Sequence, residues 1–78
     1  MTNKEAADSY NEMAVKLARI ISNVEDMRGR SEYISDEMRD NGDTYTSLSE
    51  ALEKLGVALA NVVIYADEYL HDTGENNG

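Results

Sequence analysis

Residues 45–69 read YTSLSEALEKLGVALANVVIYADEY. Apolar side chains recur in this segment at alternating steps of three and four residues, which places them along one side of an α-helix. Such a row is typical of a helix that packs lengthwise against another helix. We therefore predict a helix over residues 45–72, with a contact row formed by Tyr45, Leu48, Leu52, Leu55, Leu59, Val62, Ala66 and Tyr69.

The first half of the chain repeats this pattern in two rows of seven-residue steps. One row contains Tyr10, Leu17, Val24, Ser31 and Met38, and the other contains Met13, Ile20, Met27 and Ile34. The phase continues through Gly29, which favours one long helix over residues 4–40. A glycine inside a helix costs about 1 kcal/mol relative to alanine, so residues 29–31 are where this helix would bend.

The segment Asp40-Asn41-Gly42-Asp43 supplies the chain reversal between the two helices. Asn and Gly accept the positive φ that ends a helix, and Asp43 or Thr44 can cap the next one. The segment from Ser47 to Glu50 fits a capping box as well, which leaves a later start open. We predict an all-α antiparallel two-helix hairpin over residues 1–72, with a turn at 41–44 and a disordered tail at 73–78. Paired residue numbers should then sum to about 84.

The predicted helices carry more apolar surface than one contact row can cover. A single thin core seldom stabilises a chain of 78 residues without association. We therefore expect self-association, most simply as a homodimer that forms a four-helix bundle, and a different protein that contributes the missing helices is the alternative. The residues predicted to form this second interface are Ile21, Val57, Ala60, Ile64 and Tyr65.

The composition limits the classes of function. Sixteen acidic and seven basic residues give a net charge of −9, which disfavours nucleic acid and anionic membranes as direct partners. The chain has one His and no Cys, Pro, Trp or Phe, and it lacks a phosphate-binding loop. We predict a protein without enzymatic activity or cofactor. Neither a spanning helix nor a signal peptide is predicted, so the expected compartment is the cytoplasm, with export without a signal peptide as the alternative.

Negative charge is concentrated before the turn, where residues 25–43 hold seven acids and three bases. Tyrosine is favoured in protein interfaces because it is a rigid, amphipathic side chain, and Tyr33 lies among these acids. An acidic surface with an aromatic anchor is suited to a basic protein partner. The predicted partner-binding residues are Glu25, Asp26, Glu32, Tyr33, Asp36, Glu37 and Asp40.

One spacing in the sequence is compatible with metal binding. Glu68 and His71 share a face of the second helix, as in the Glu-x-x-His pairs of ferritin-like di-iron bundles. In a dimer, Glu12 of the first helix would supply a further carboxylate near the same level. The alternative interpretation is a solvated His71 near the C-terminus of the helix, without a metal.

Two groups of proteins resemble this chain in architecture or composition. An acidic, cysteine-poor hairpin that turns near residue 42 resembles the WXG100 family of type VII secretion substrates, although the Trp-x-Gly of that family is missing from Asp40-Asn41-Gly42-Asp43. That resemblance implies a dimeric structural partner in secretion. Small acidic helical inhibitors from phages and mobile elements are similar in composition, which implies an inhibitor or adaptor that acts in the cytoplasm of a host cell.

Overall fold

The computed structural model describes the backbone of residues 1–37 and 42–75, with side chains for residues 1–34 and 42–71. Two helices, α1 (Asn3–Glu37) and α2 (Asp43–Glu75), pack against each other as a hairpin about 61 Å long and 16 by 14 Å across. Tyr10 near the start of α1 meets Tyr69 near the end of α2, so the helices are antiparallel. The predicted all-α helical hairpin is confirmed.

The first helix is continuous through residues 29–31, as the unbroken heptad phase predicted. A capping box fixes its start: the Thr2 amide donates to Oε1 of Glu5 over 3.3 Å, and the Glu5 amide donates to Oγ1 of Thr2 over 3.1 Å. Each bond satisfies an amide that has no partner within the helix. The sequence prediction overlooked this box, although Thr and Glu at this spacing are its usual signal.

The second helix begins at Asp43 and continues through Glu75. The segment from Ser47 to Glu50 therefore lies inside the helix and does not begin it. The helix extends three residues past the predicted end at residue 72, into the predicted tail, where no proline stops it. Residues 76–78 lie outside the described part. Within that part, neither helix is long and apolar enough to cross a membrane.

Two glycines differ in what their conformation requires. Gly42 has a φ of +82° and accepts a hydrogen bond from the Thr46 amide over 2.9 Å. A side chain strains a residue at positive φ, so we expect Gly42→Ala to lower the free energy of unfolding by about 1 kcal/mol. A Cβ added to Gly29, within α1, would meet open space, with no neighbouring side chain inside 4 Å. Gly29→Ala should therefore raise the free energy of unfolding by about 1 kcal/mol.

Urea unfolding followed by far-ultraviolet circular dichroism measures both changes. Each variant is the control for the other, since both replace a glycine by the same residue. Equal shifts in the same direction would contradict the conformational difference between the two positions.

The contact row of α2 is the predicted one. Ala66 is buried, and the other members between Leu48 and Tyr69 are half-buried, while Tyr45 is more exposed. On α1, the predicted row through Tyr10, Leu17, Val24 and Ser31 also faces α2. Met38, the last predicted member, lies outside the described residues.

The second predicted row of α1 is wrong. Met13, Ile20, Met27 and Ile34 are 45–48% exposed, and the row that packs against α2 consists of Ala7, Ala14, Ile21 and Arg28. Both rows flank the Tyr10 row at heptad spacing, so periodicity alone does not distinguish them. Small Ala7 and Ala14 let the helices approach closely, and the Arg28 guanidinium lies over the Tyr45 ring, 5.6 Å from its centroid.

The register of the hairpin also differs from the prediction. The Tyr10 ring stacks on both Tyr65 and Tyr69, with centroid distances of 5.9 and 5.8 Å. The predicted pairing would have placed Tyr10 near residue 74. An offset of this size is close to one heptad, which leaves the same faces in contact, so the periodicity did not reveal it.

The core of the hairpin is thin. Ala7, Val24, Ala66 and Ser31 are the buried residues of the described part, and no large side chain there is fully buried. Ser31 occupies a contact position because its hydroxyl donates to the Arg28 carbonyl over 2.8 Å. Small side chains bury little apolar area, so the contact between α1 and α2 contributes little stability for its length.

Candidate functional site

The predicted acidic surface lies on the outer side of α1. Glu25, Asp26, Glu32 and Tyr33 are all exposed there, and Tyr33 is the most exposed tyrosine at 70%. Asp36 and Glu37 belong to α1, but their side chains lie outside the described part, as does the whole of Asp40. The described acidic surface therefore consists of three carboxylates and one aromatic ring.

Part of this surface forms an open groove of about 640 Å³. Gly29 exposes helix backbone at its floor, and nothing stands within 4 Å of the place where a Cβ would lie. The side chains on either side come from one helical turn before Gly29 and one turn after it. The lining residues are Glu25, Asp26, Gly29, Arg30, Tyr33 and Ile34.

One carboxylate of the groove is paired. Asp26 accepts from the Arg30 guanidinium over 3.1 Å, and both side chains are exposed. An exposed pair at this spacing contributes only about 0.3–0.5 kcal/mol, so a partner can displace it at little cost. The groove thus combines carboxylates at one end with the Tyr33 ring at the other. Sequence reasoning identified these side chains but not the groove, whose signal was a glycine on the outer face between them.

A second exposed surface is apolar and combines both helices. The α1 apolar row consists of Met13, Ile20, Met27 and Ile34. Because Tyr65 stacks on Tyr10, the side of α2 that carries Tyr65 adjoins this row. Ala58 and Ala51 lie one and two heptads before Tyr65 and are half-buried on the same side. We call Ala51, Ala58 and Tyr65 the α2 flank.

The residues predicted for self-association fall into two places. Ile21 is half-buried in the row that packs against α2, so only part of its side chain is open to a second interface. Val57, Ala60 and Ile64 are exposed on the outer side of α2, where Val57 and Ile64 are 59% and 53% exposed. Tyr65 is exposed beside the α1 apolar row.

The predicted metal ligands are not assembled within one chain. Nε2 of His71 lies 3.3 Å from Oδ1 of Asp67, one turn earlier on α2, and both side chains are exposed. Across the described residues, no group of three His, Cys, Asp or Glu side chains could hold a metal ion. Glu12 instead pairs with Lys16 on α1, with 3.5 Å between Oε1 and Nζ. This chain alone therefore does not form the predicted site from Glu12, Glu68 and His71.

Comparisons of the chain with protein-family models, with curated proteins and with solved structures found no match. The functional interpretation therefore depends on the two surfaces themselves.

Proposed function

We propose that this chain is a non-enzymatic protein-binding module that engages a basic protein surface through the acidic surface of α1. The observation that carries the proposal is the groove beside Gly29, where carboxylates and an exposed Tyr33 border bare helix backbone. A groove that combines carboxylates, an aromatic ring and an open floor is suited to bind a long basic side chain.

The binding step follows from the shape of that side chain. A lysine or arginine of the partner lays its hydrocarbon stem along Tyr33 and Ile34 and directs its charge toward Glu25. An arginine also stacks on the Tyr33 ring. The net charge of −9 attracts a basic partner from a distance and accelerates association at low salt.

A binding module of this kind acts by covering a basic surface of its partner. It would serve as an inhibitor if the basic surface it covers is one that the partner uses for another ligand, such as a nucleic-acid channel, and as an adaptor otherwise. Self-association belongs to the same proposal, because two copies would present two acidic surfaces and bind a repeated basic target with higher avidity.

Charge reversal tests the acidic surface. We expect Glu25→Lys with Glu32→Lys to lower affinity for the partner at least tenfold, because two attractive contacts become repulsive. The wild-type chain is immobilised, its bound proteins are identified by mass spectrometry, and the affinity of each is then measured by titration calorimetry at two salt concentrations.

The matched control is Glu50→Lys with Glu53→Lys, which makes the same charge change on the exposed surface of α2. It should retain binding. If both double variants lose affinity equally, net charge alone drives association, and if neither does, the acidic surface is not the binding site.

The hairpin architecture also favours a second candidate, a WXG100-like structural partner in type VII secretion. This candidate predicts export of the chain together with a helical-hairpin partner, whereas the first predicts capture of a basic protein. An export assay separates the two.

A further inference from the structure

We propose that a second copy of this chain packs on the α1 apolar row and the α2 flank, to form a four-helix bundle. The surface combines a ridge of large side chains on α1 with two alanines and one tyrosine on α2. It shares Tyr65 with the residues that the sequence predicted for self-association but leaves out Val57, Ala60 and Ile64 on the outer side of α2. The inference rests on the self-association within the proposed function and specifies its surface.

The exposed area of the chain is the first support. A compact monomer of 8.7 kDa would expose about 4,700 Å². This chain exposes 5901 Å², an excess of about 1,200 Å². One partner in a standard protein interface buries about 800 Å², so face-to-face pairing of two hairpins can remove most of the excess.

The length of the row is the second support. From Met13 to Ile34 the row covers three heptads of α1, or about 32 Å, which is roughly half the length of the hairpin. Every member leaves nearly half of its side chain exposed. An apolar row that keeps heptad spacing over this distance is typical of a helix that contacts a second helix on that side.

The shape of the surface is the third support and identifies a second copy as the occupant. Tyr10 stacks on both Tyr65 and Tyr69, so the numbers of residues at the same level on α1 and α2 sum to about 75–79. Ile20 is therefore level with residues 55–59, which include Ala58, and Met27 with residues 48–52, which include Ala51. The surface is therefore a ridge beside a trough. A two-fold axis along the hairpin places the ridge of each copy over the trough of the other.

This arrangement makes specific contacts. Ile20 lies over Ala58 of the second copy, and Met27 lies over Ala51 of the second copy, where the small side chains let the helices approach. Met13 meets the Tyr65 ring of the second copy, a favourable sulfur–aromatic contact. Both turns lie at the same end, and each helix has antiparallel neighbours, as in other four-helix bundles.

Aspartate substitutions in the ridge test the surface. We expect Ile20→Asp with Met27→Asp to convert a dimer to a monomer, with a halved mass in light scattering, because four charges would enter the interface. Asn11→Asp with Ser22→Asp adds the same charge at exposed positions elsewhere on α1 and should remain dimeric. Circular dichroism reports whether each variant keeps its helices.

Cross-linking tests the same surface without disruption, since the chain has no cysteine. A mixture of Ile20→Cys chains and Ala58→Cys chains should form a mixed dimer with a short bismaleimide. The matched control replaces Ala58→Cys by Val57→Cys, which moves the thiol by one residue to the outer side of α2 and should abolish the mixed product.

The outcomes separate this inference from the proposed function. If the wild-type chain is monomeric at high concentration, the proposal of a dimer is wrong. The charge-reversal variants then still test the binding of a basic partner on their own. A second outcome would contradict the proposed surface. In that case the dimer persists in Ile20→Asp with Met27→Asp but dissociates in Val57→Asp with Ile64→Asp, and the second copy binds the outer side of α2. If the ridge variant unfolds, absence of the cross-link between positions 20 and 58 overturns the proposal.

Discussion

Replacement of Val24 by aspartate is expected to unfold the hairpin. Val24 lies in the contact between α1 and α2 and is only 9% exposed. An unpaired charge at such a position costs about 3–5 kcal/mol. A chain of this size gains about the same amount from its whole core, so Val24→Asp should lose most of its helical circular dichroism.

Val15→Asp is the matched control, because Val15 is on the same helix and is 53% exposed. We expect its unfolding midpoint in urea to stay close to that of the wild type. Equal loss of helix in both variants would mean that α1 does not pack against α2 through the Val24 row.

The second large effect is expected at the open end of the hairpin. Tyr10 lies between Tyr65 and Tyr69, with both ring pairs stacked at less than 6 Å. Tyr10→Ala removes both contacts and leaves a gap between the helices, so the free energy of unfolding should fall by about 2–3 kcal/mol. Urea unfolding followed by circular dichroism measures this change.

Tyr33→Ala provides the comparison, since that ring extends into solvent from the acidic surface. Its effect on stability should stay within about 0.5 kcal/mol, while its affinity for a basic partner should fall. A stability loss for Tyr33→Ala as large as for Tyr10→Ala would contradict the different environments of the two rings.

Much of the fold could be predicted because the sequence of α2 indicates clearly which side of the helix is buried. Leu48, Leu52, Leu55 and Leu59 form one leucine-rich row, and its spacing identified the buried side of the helix. The glycine of the turn was equally predictable, because Gly42 adopts the positive φ that its position implied. These predictions depended on local pattern alone.

The buried side of α1 could not be chosen in the same way. Met13 and Ala14 lie three and four residues after Tyr10, and each begins an acceptable heptad row. Hydrophobicity favoured the row of Met13, whereas the structure packs the smaller Ala14 inward. Close approach of two helices depends on the side chains of both, and this is a property of the pair that neither sequence segment shows alone.

The candidate site was predictable as composition but not as geometry. Glu25, Asp26 and Tyr33 were recognisable as an acidic stretch with an aromatic residue. Their arrangement around Gly29, and the pairing of Asp26 with Arg30, depend on which side of α1 faces solvent. Since that side follows from the helix pairing, the groove could be located only once the pairing was known.

With the proposed self-association, the thin core would link the stability of this molecule to its abundance. With small side chains at its buried positions, the hairpin draws little free energy from its own interior. A second copy that binds only the folded form would then add stability in proportion to the logarithm of its concentration. Highly expressed chains would resist proteases, whereas scarce chains would open and be degraded, so the cell could remove the protein by a reduction of its synthesis.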